Sequence, residues 1–90
     1  PNEVEAQLFA DPSVAEAAVF GIPDPRWVEK VVAAVVLRAG STSTAEEMID
    51  RLRGRLAHYK CPKAIFFTNT LPKSAVGKVL RKELRKQYGA

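Results

Sequence analysis

A single cysteine and a single histidine stand among these 90 residues, and chemistries that need several of either are therefore missing. Cys61 has no second thiol for an intramolecular disulfide, which agrees with a reducing, cytoplasmic setting. With His58 as the one imidazole and no ligand spacing around it, no metal site is expected. His58 and Cys61 lie three residues apart but have no orienting partner and no oxyanion donors, so a thiol nucleophile is not expected either. No apolar run approaches the roughly 20 residues that cross a bilayer, and the amino end carries no signal-peptide pattern. Acid is scarce in the last third, where residues 58–90 hold eight Lys/Arg against Glu83 alone. Residues 1–57 hold six Lys/Arg against nine Asp/Glu, so the net charge of +4 is confined to one end of the chain. Such a field steers an anionic partner or simply keeps a surface solvated.

What remains is the composition of one small folded domain. Hydrophobic residues make up 47% and charged residues 27%, which excludes a disordered tail. A chain of this size buries only about 60–65% of its unfolded surface. Its only methionine is Met48, and it opens on Pro1-Asn2-Glu3, as expected of a domain cut from a longer polypeptide.

Asn2 and Glu5 have capping-box spacing, and Val4 with Leu8 then marks a helix over 3–10, stopped before Pro12. Val14 to Ile22 reads as a strand, and Pro23-Asp24-Pro25 as a turn. Val28 to Leu37 is apolar on both faces, the pattern of a central strand. Thr44 and Glu47 repeat the capping box ahead of a helix from Ala45 to Leu56, with Met48, Ile49, Leu52 and Leu56 on one stripe. Ala64 to Thr68 is a third short strand. The last helix is predicted over Val79 to Tyr88, with Leu80, Leu84 and Tyr88 on one face and Arg81, Lys82, Arg85 and Lys86 on the other. The fold class is α+β: a small central sheet of about three strands, packed helices, and a lysine-bearing loop before the C-terminal helix.

That loop, Leu71-Pro72-Lys73-Ser74-Ala75-Val76-Gly77-Lys78, holds the chemistry. Gly77 permits a tight turn, and Lys78 is expected at the mouth of the last helix, where charge and helix dipole both favour an anion. A P-loop needs glycine at position 72 and Ser or Thr at 79; Pro72 and Val79 exclude an independent nucleotide site. Lys78 is thus a donor without a pocket of its own, suited to a cleft belonging to another domain.

Four segments in order carry a family resemblance. Pro1-Asn2-Glu3-Val4-Glu5 resembles a helix start written SPxEVE, and 11–24 matches hPxVxeaaVvGxpD. Residues 56–63 look like LaxyKxPk, and 71–78 match LPKtxxGK. The chain resembles the carboxy-terminal domain of an acyl-CoA synthetase, fatty-acid–CoA ligase type, in the adenylate-forming superfamily. The resemblance implies that residues 1–90 are the lid domain of a larger ligase. Its large N-terminal domain, with the ATP pocket, the acyl tunnel and the hinge residue, would lie upstream. It further implies two steps: a carboxylate attacks the α-phosphorus of Mg-ATP, expelling pyrophosphate and leaving an acyl-adenylate, and after a domain rotation the thiol of coenzyme A displaces AMP.

Lys78 falls on the adenylation lysine, beside Gly77. Tyr59, Cys61 and Lys63 fall where some members contact the nucleotide of coenzyme A, an aromatic stacking on adenine and a lysine pairing with phosphate. Cys61 replaces a basic residue present in some relatives, so the ionic part of that contact is missing. Trp27-Val28-Glu29 departs from the usual Trp-Gly-Glu, and Val28 is read as lengthening the strand. The cofactors implied are ATP, Mg2+ and coenzyme A, ATP and Mg2+ being bound mainly by the large domain, and the substrate a fatty or related carboxylic acid. The isolated domain is expected to be inactive. Two alternatives stand beside it: an adenylation domain loading a carrier protein, which shares Lys78, and a basic module for nucleic acid or an acidic partner, which uses Arg81, Lys82, Arg85 and Lys86. Of the two, nucleic acid lacks a recognisable stacking motif.

Overall fold

Alternation along two valine-rich segments sets the architecture. The computed structural model describes residues 2–26, 28–57 and 60–89. Its elements run α1 (Asn2–Phe9), β1 (Val14–Asp24), β2 (Val28–Leu37), α2 (Ala45–Arg53), β3 (Ile65–Phe67) and α3 (Arg81–Tyr88). The sheet order is β1-β2-β3, with β1 antiparallel and β3 parallel to the central β2. Because strand side chains alternate between faces, Ala17 and Val19, Ala33 and Val35, and Ile65 point to one side. Ala18, Phe20 and Ile22, Val32 and Ala34, and Phe66 point to the other. Val32, Ala33, Ala34 and Val35 have no exposed surface at all, as a strand covered on both faces requires.

Each face has its own core. Val4 and Leu8 of α1 and Met48 and Leu52 of α2 close the first, joined by Leu56 and Cys61. Leu84 of α3 and Leu71 close the second, with Val79 and Tyr88 packed against it. The ring of Tyr88 stacks on Phe66 at 4.5 Å between centroids and leans on Phe20 at 6.2 Å.

Several boundaries differ from those predicted. The β1–β2 ladder continues through Pro23↔Glu29 and Asp24↔Val28, so Pro23 and Asp24 belong to the strand. Proline is tolerated there because β1 is an edge strand. The turn begins one step later, where Asp24 Oδ1 accepts the Arg26 N–H at 2.8 Å. Helix α2 has the expected capping box, Thr44 Oγ1 to the Glu47 N–H and Glu47 Oε1 to the Thr44 N–H, but ends at Arg53 with Gly54 as its cap. Leu56 still reaches the core through a turn whose N–H donates to Leu52 O at 2.9 Å. The Asn2 side chain of the expected capping box lies outside the described residues; Glu5 directs Oε2 to the Val19 N–H and to Arg81. Among the described residues no helix is long and apolar enough to cross a membrane.

Candidate functional site

Lys78 lies on a small hairpin and not at a helix mouth. Lys73 and Val79 form an antiparallel bridge, the Ser74 N–H donates to Lys78 O at 2.8 Å, and the Leu80 N–H donates to Pro72 O at 2.9 Å. These bonds hold residues 79 and 80 out of helical conformation, so α3 starts at Arg81, three residues beyond Lys78. The predicted start at Val79 is therefore corrected: Val79 and Leu80 mimic the helical period of Leu84 and Tyr88 but are committed to the hairpin. At the tip the Gly77 N–H donates to Ser74 O at 2.9 Å, and Gly77 sits at φ +84°, the left-handed conformation that glycine adopts without cost. The Lys78 N–H reaches Ser74 Oγ at 3.3 Å. Lys78 is exposed, and so is Val76 at the tip, at 87%. The grooves of about 450, 520 and 460 Å³ on this domain are all lined without Lys78. The ammonium is thus presented outward on a braced loop.

The second candidate region lies on the other side of the sheet. Tyr59, with His58, falls outside the described residues. Cys61 is 5% exposed, belongs to the core closed by α1 and α2, and points its thiol at the Ala57 carbonyl, 3.7 Å away. Lys63 is exposed, with its backbone N–H on Val31 O at 2.8 Å. Cys61 and Lys63 line a cavity of about 90 Å³ with Ile49, Arg53 and Pro62. The structure therefore brings Cys61 and Lys63 together but separates them from Gly77 and Lys78, whose hairpin is rooted in the core under α3. Among the described residues no three His, Cys, Asp or Glu side chains gather as a metal site.

The basic face of α3 is smaller than the sequence implied. Lys82, Arg85 and Lys86 are exposed, whereas Arg81 is half-buried and bonded to Glu5 and to Val19 O. Arg81, Leu84 and Tyr88 share one helical face at i, i+3 and i+7, a periodicity that placed Arg81 inward had the helix start been known. Sequence reasoning reads Glu5 only as a helix cap and does not single out Glu16, although Lys73–Glu16 forms an ion pair at the hairpin's foot. Stacking of Phe66 on Tyr88 occupies two of the aromatics that a nucleic-acid platform would need.

Val28 is more than a strand extension. It has φ +67°, unusual for a β-branched residue, and its side chain is 88% exposed. The backbone at this position has the conformation that glycine favours, so the valine is carried with strain.

Sequence and shape agree with one family throughout. Residues 3–78 match the model of the AMP-binding enzyme C-terminal domain, and the chain belongs to that family. It is 46% identical over 89 residues to a feruloyl-CoA synthase of an Amycolatopsis species, covering 99% of this chain and 18% of that protein. A long-chain fatty-acid–CoA ligase of Mycobacterium tuberculosis is 37% identical over 90 residues, covering all of this chain and 18% of the relative. The ATP-bound crystal structure of MatB from Rhodopseudomonas palustris superposes with a TM-score of 0.95 at 37% identity, over 99% of this chain and 18% of that one. The chain thus spans about a fifth of the length of the proteins it matches.

Proposed function

We propose that the chain serves as the mobile carboxy-terminal lid of an ATP-dependent acyl-CoA ligase, with Lys78 as the adenylation lysine. The observation that carries this reading is an exposed lysine, fixed on a Gly77 turn and a bridged hairpin and outside the three grooves described above. In the first step the Lys78 ammonium lies between the substrate carboxylate and the α-phosphate. There it offsets the repulsion of two anions and the charge that develops on the phosphoryl oxygens. One flexible cation suffices because the large domain supplies the rest of the pocket. On this reading Mg2+ and the polyphosphate are held mainly by that large domain. For the second step the domain rotates, and the segment bearing Cys61 and Lys63, on the opposite side of the sheet, becomes the face near coenzyme A. Lys63 is the available cation there, while Cys61 is committed to the core. Two faces separated by a sheet suit a domain that presents one surface per half-reaction.

Coenzyme A is favoured over a carrier protein as acceptor because both relatives described above are named for coenzyme A products. The same names cover an aromatic and a long-chain fatty acid, so the substrate is a carboxylic acid of the kind chosen by the large domain, fatty acids among the candidates. The test compares wild type and Lys78→Ala in the intact ligase, measuring adenylate formation and thioester formation from preformed acyl-adenylate. Loss of the first step alone supports the reading; survival of both steps removes it. The 90-residue domain by itself is expected to form no adenylate.

A further inference from the structure

The hairpin that carries Lys78 is fastened at both feet to one strand. Lys73 on the first arm pairs with Glu16 of β1. Just past the second arm, three residues beyond Lys78, Arg81 Nε donates to Val19 O at 3.0 Å and Arg81 Nη2 reaches Glu5 Oε2 at 2.5 Å. That same oxygen accepts the Val19 N–H at 2.9 Å, closing a ring of Glu5, Val19 and Arg81 across α1, β1 and α3. The Glu5 side chain is 16% exposed and that of Arg81 40%, so the pair is partly withdrawn from water and is not a loose surface contact.

Resting on the function proposed above, we propose that Arg81, held by Glu5, is the positioning residue for Lys78. The guanidinium is planar and donates from a fixed fork, so two bonds in different directions set both the location and the orientation of the residue that follows the hairpin. A lysine side chain has several rotatable bonds, and only its backbone anchor can be fixed in advance. Displacement of a charged group by about 1 Å costs on the order of 100-fold in rate. Arg81 touches none of the reacting atoms; it acts by keeping the second arm of the hairpin on β1. Lysine at this position keeps the charge but loses the fork.

The experiment uses the intact ligase with Arg81→Gln, Glu5→Gln, Arg81→Lys, Lys78→Ala and the double variant Arg81→Gln/Lys78→Ala. Glu5→Gln keeps an acceptor for the Val19 N–H and so preserves the fold, which the melting temperature checks. Adenylate formation and thioester formation from preformed adenylate are measured separately. Expected is a fall in adenylation kcat of roughly 10- to 100-fold for Arg81→Gln and Glu5→Gln, with KM and the thioester step within about twofold and partial recovery in Arg81→Lys. On the Lys78→Ala background, Arg81→Gln should cost nothing further, since a positioning residue acts only through the group it positions. Equal loss of both half-reactions, or a second loss on that background, assigns Arg81 to general stability and overturns the proposal. If Lys78→Ala abolishes adenylation and the Arg81 and Glu5 variants do not, positioning fails and the lid function stands. If Lys78→Ala itself retains adenylation, both fail.

Discussion

Asp11 and Arg51, forty residues apart, meet at 2.8 Å between Oδ2 and Nε, and join the end of α1 to the last turn of α2. Burial alone would raise the Asp11 pKa. The Ser13 N–H and hydroxyl, at 3.0 and 2.7 Å, and the Arg51 guanidinium outweigh it and hold the carboxyl below its ordinary 3.8.

A pH dependence follows from that lowering. A depressed carboxylate contributes stability above its unfolded pKa and loses it as pH falls through the folded value. Asp11→Asn should cost about 1–2 kcal/mol at pH 7, and the gap to wild type should close below about pH 4. Urea unfolding of both proteins at several pH values checks this; a gap that widens in acid contradicts it. Glu47, lowered by the Thr44 N–H and hydroxyl, adds the same sign to both proteins and drops out of the difference.

Val28→Gly is expected to stabilise the domain. A left-handed residue with a Cβ costs roughly 1–2 kcal/mol, and glycine returns about 0.5–1 of that as unfolded-state entropy. The net gain is roughly 0.5–1 kcal/mol. A lower urea midpoint in the glycine variant would show that Val28 is unstrained at φ +67°.

The reciprocal change at the hairpin tip tests the opposite sign. A Cβ at Gly77 meets nothing within 4 Å, so Gly77→Ala carries conformational strain without a clash. The expected loss is about 1 kcal/mol, less for Gly77→Asn, whose side chain tolerates the left-handed region. Thermal melts rank the three proteins, and an alanine variant as stable as wild type counts against the turn.

Helix α3 separates packing from charge within three positions. Leu84 is 1% exposed, and Leu84→Ala should cost about 2–4 kcal/mol through lost burial and a cavity under the sheet. Exposed Lys82, changed to alanine, should stay within about 0.5 kcal/mol of wild type. Matching losses at both positions would contradict the assignment of faces.

The sheet was legible because its evidence is local: β2 is apolar on both faces, and its neighbours alternate in step with it. The start of α3 was not, because Val79 and Leu80 fit the helical period of Leu84 and Tyr88. Only the pairing of Lys73 with Val79, which no periodicity registers, takes them away. Lys78 stood out through its motif, while the partners that brace it did not. Glu5 and Arg81 are separated by 76 residues, and the spacing of either gives no sign of the other. Cys61 illustrates a third case: its alignment beside Lys63 was visible, but its direction into the core depends on how the chain turns after Leu56.

Val19 sits midway along an edge strand of eleven residues, and both its N–H and its C=O are taken by side chains, Glu5 on one and Arg81 on the other. An edge left open is a template on which another chain can add a strand. Here the ladder that such a strand would need is interrupted at its centre by two opposite charges. The domain can therefore carry a long strand at its margin and still resist edge-to-edge aggregation.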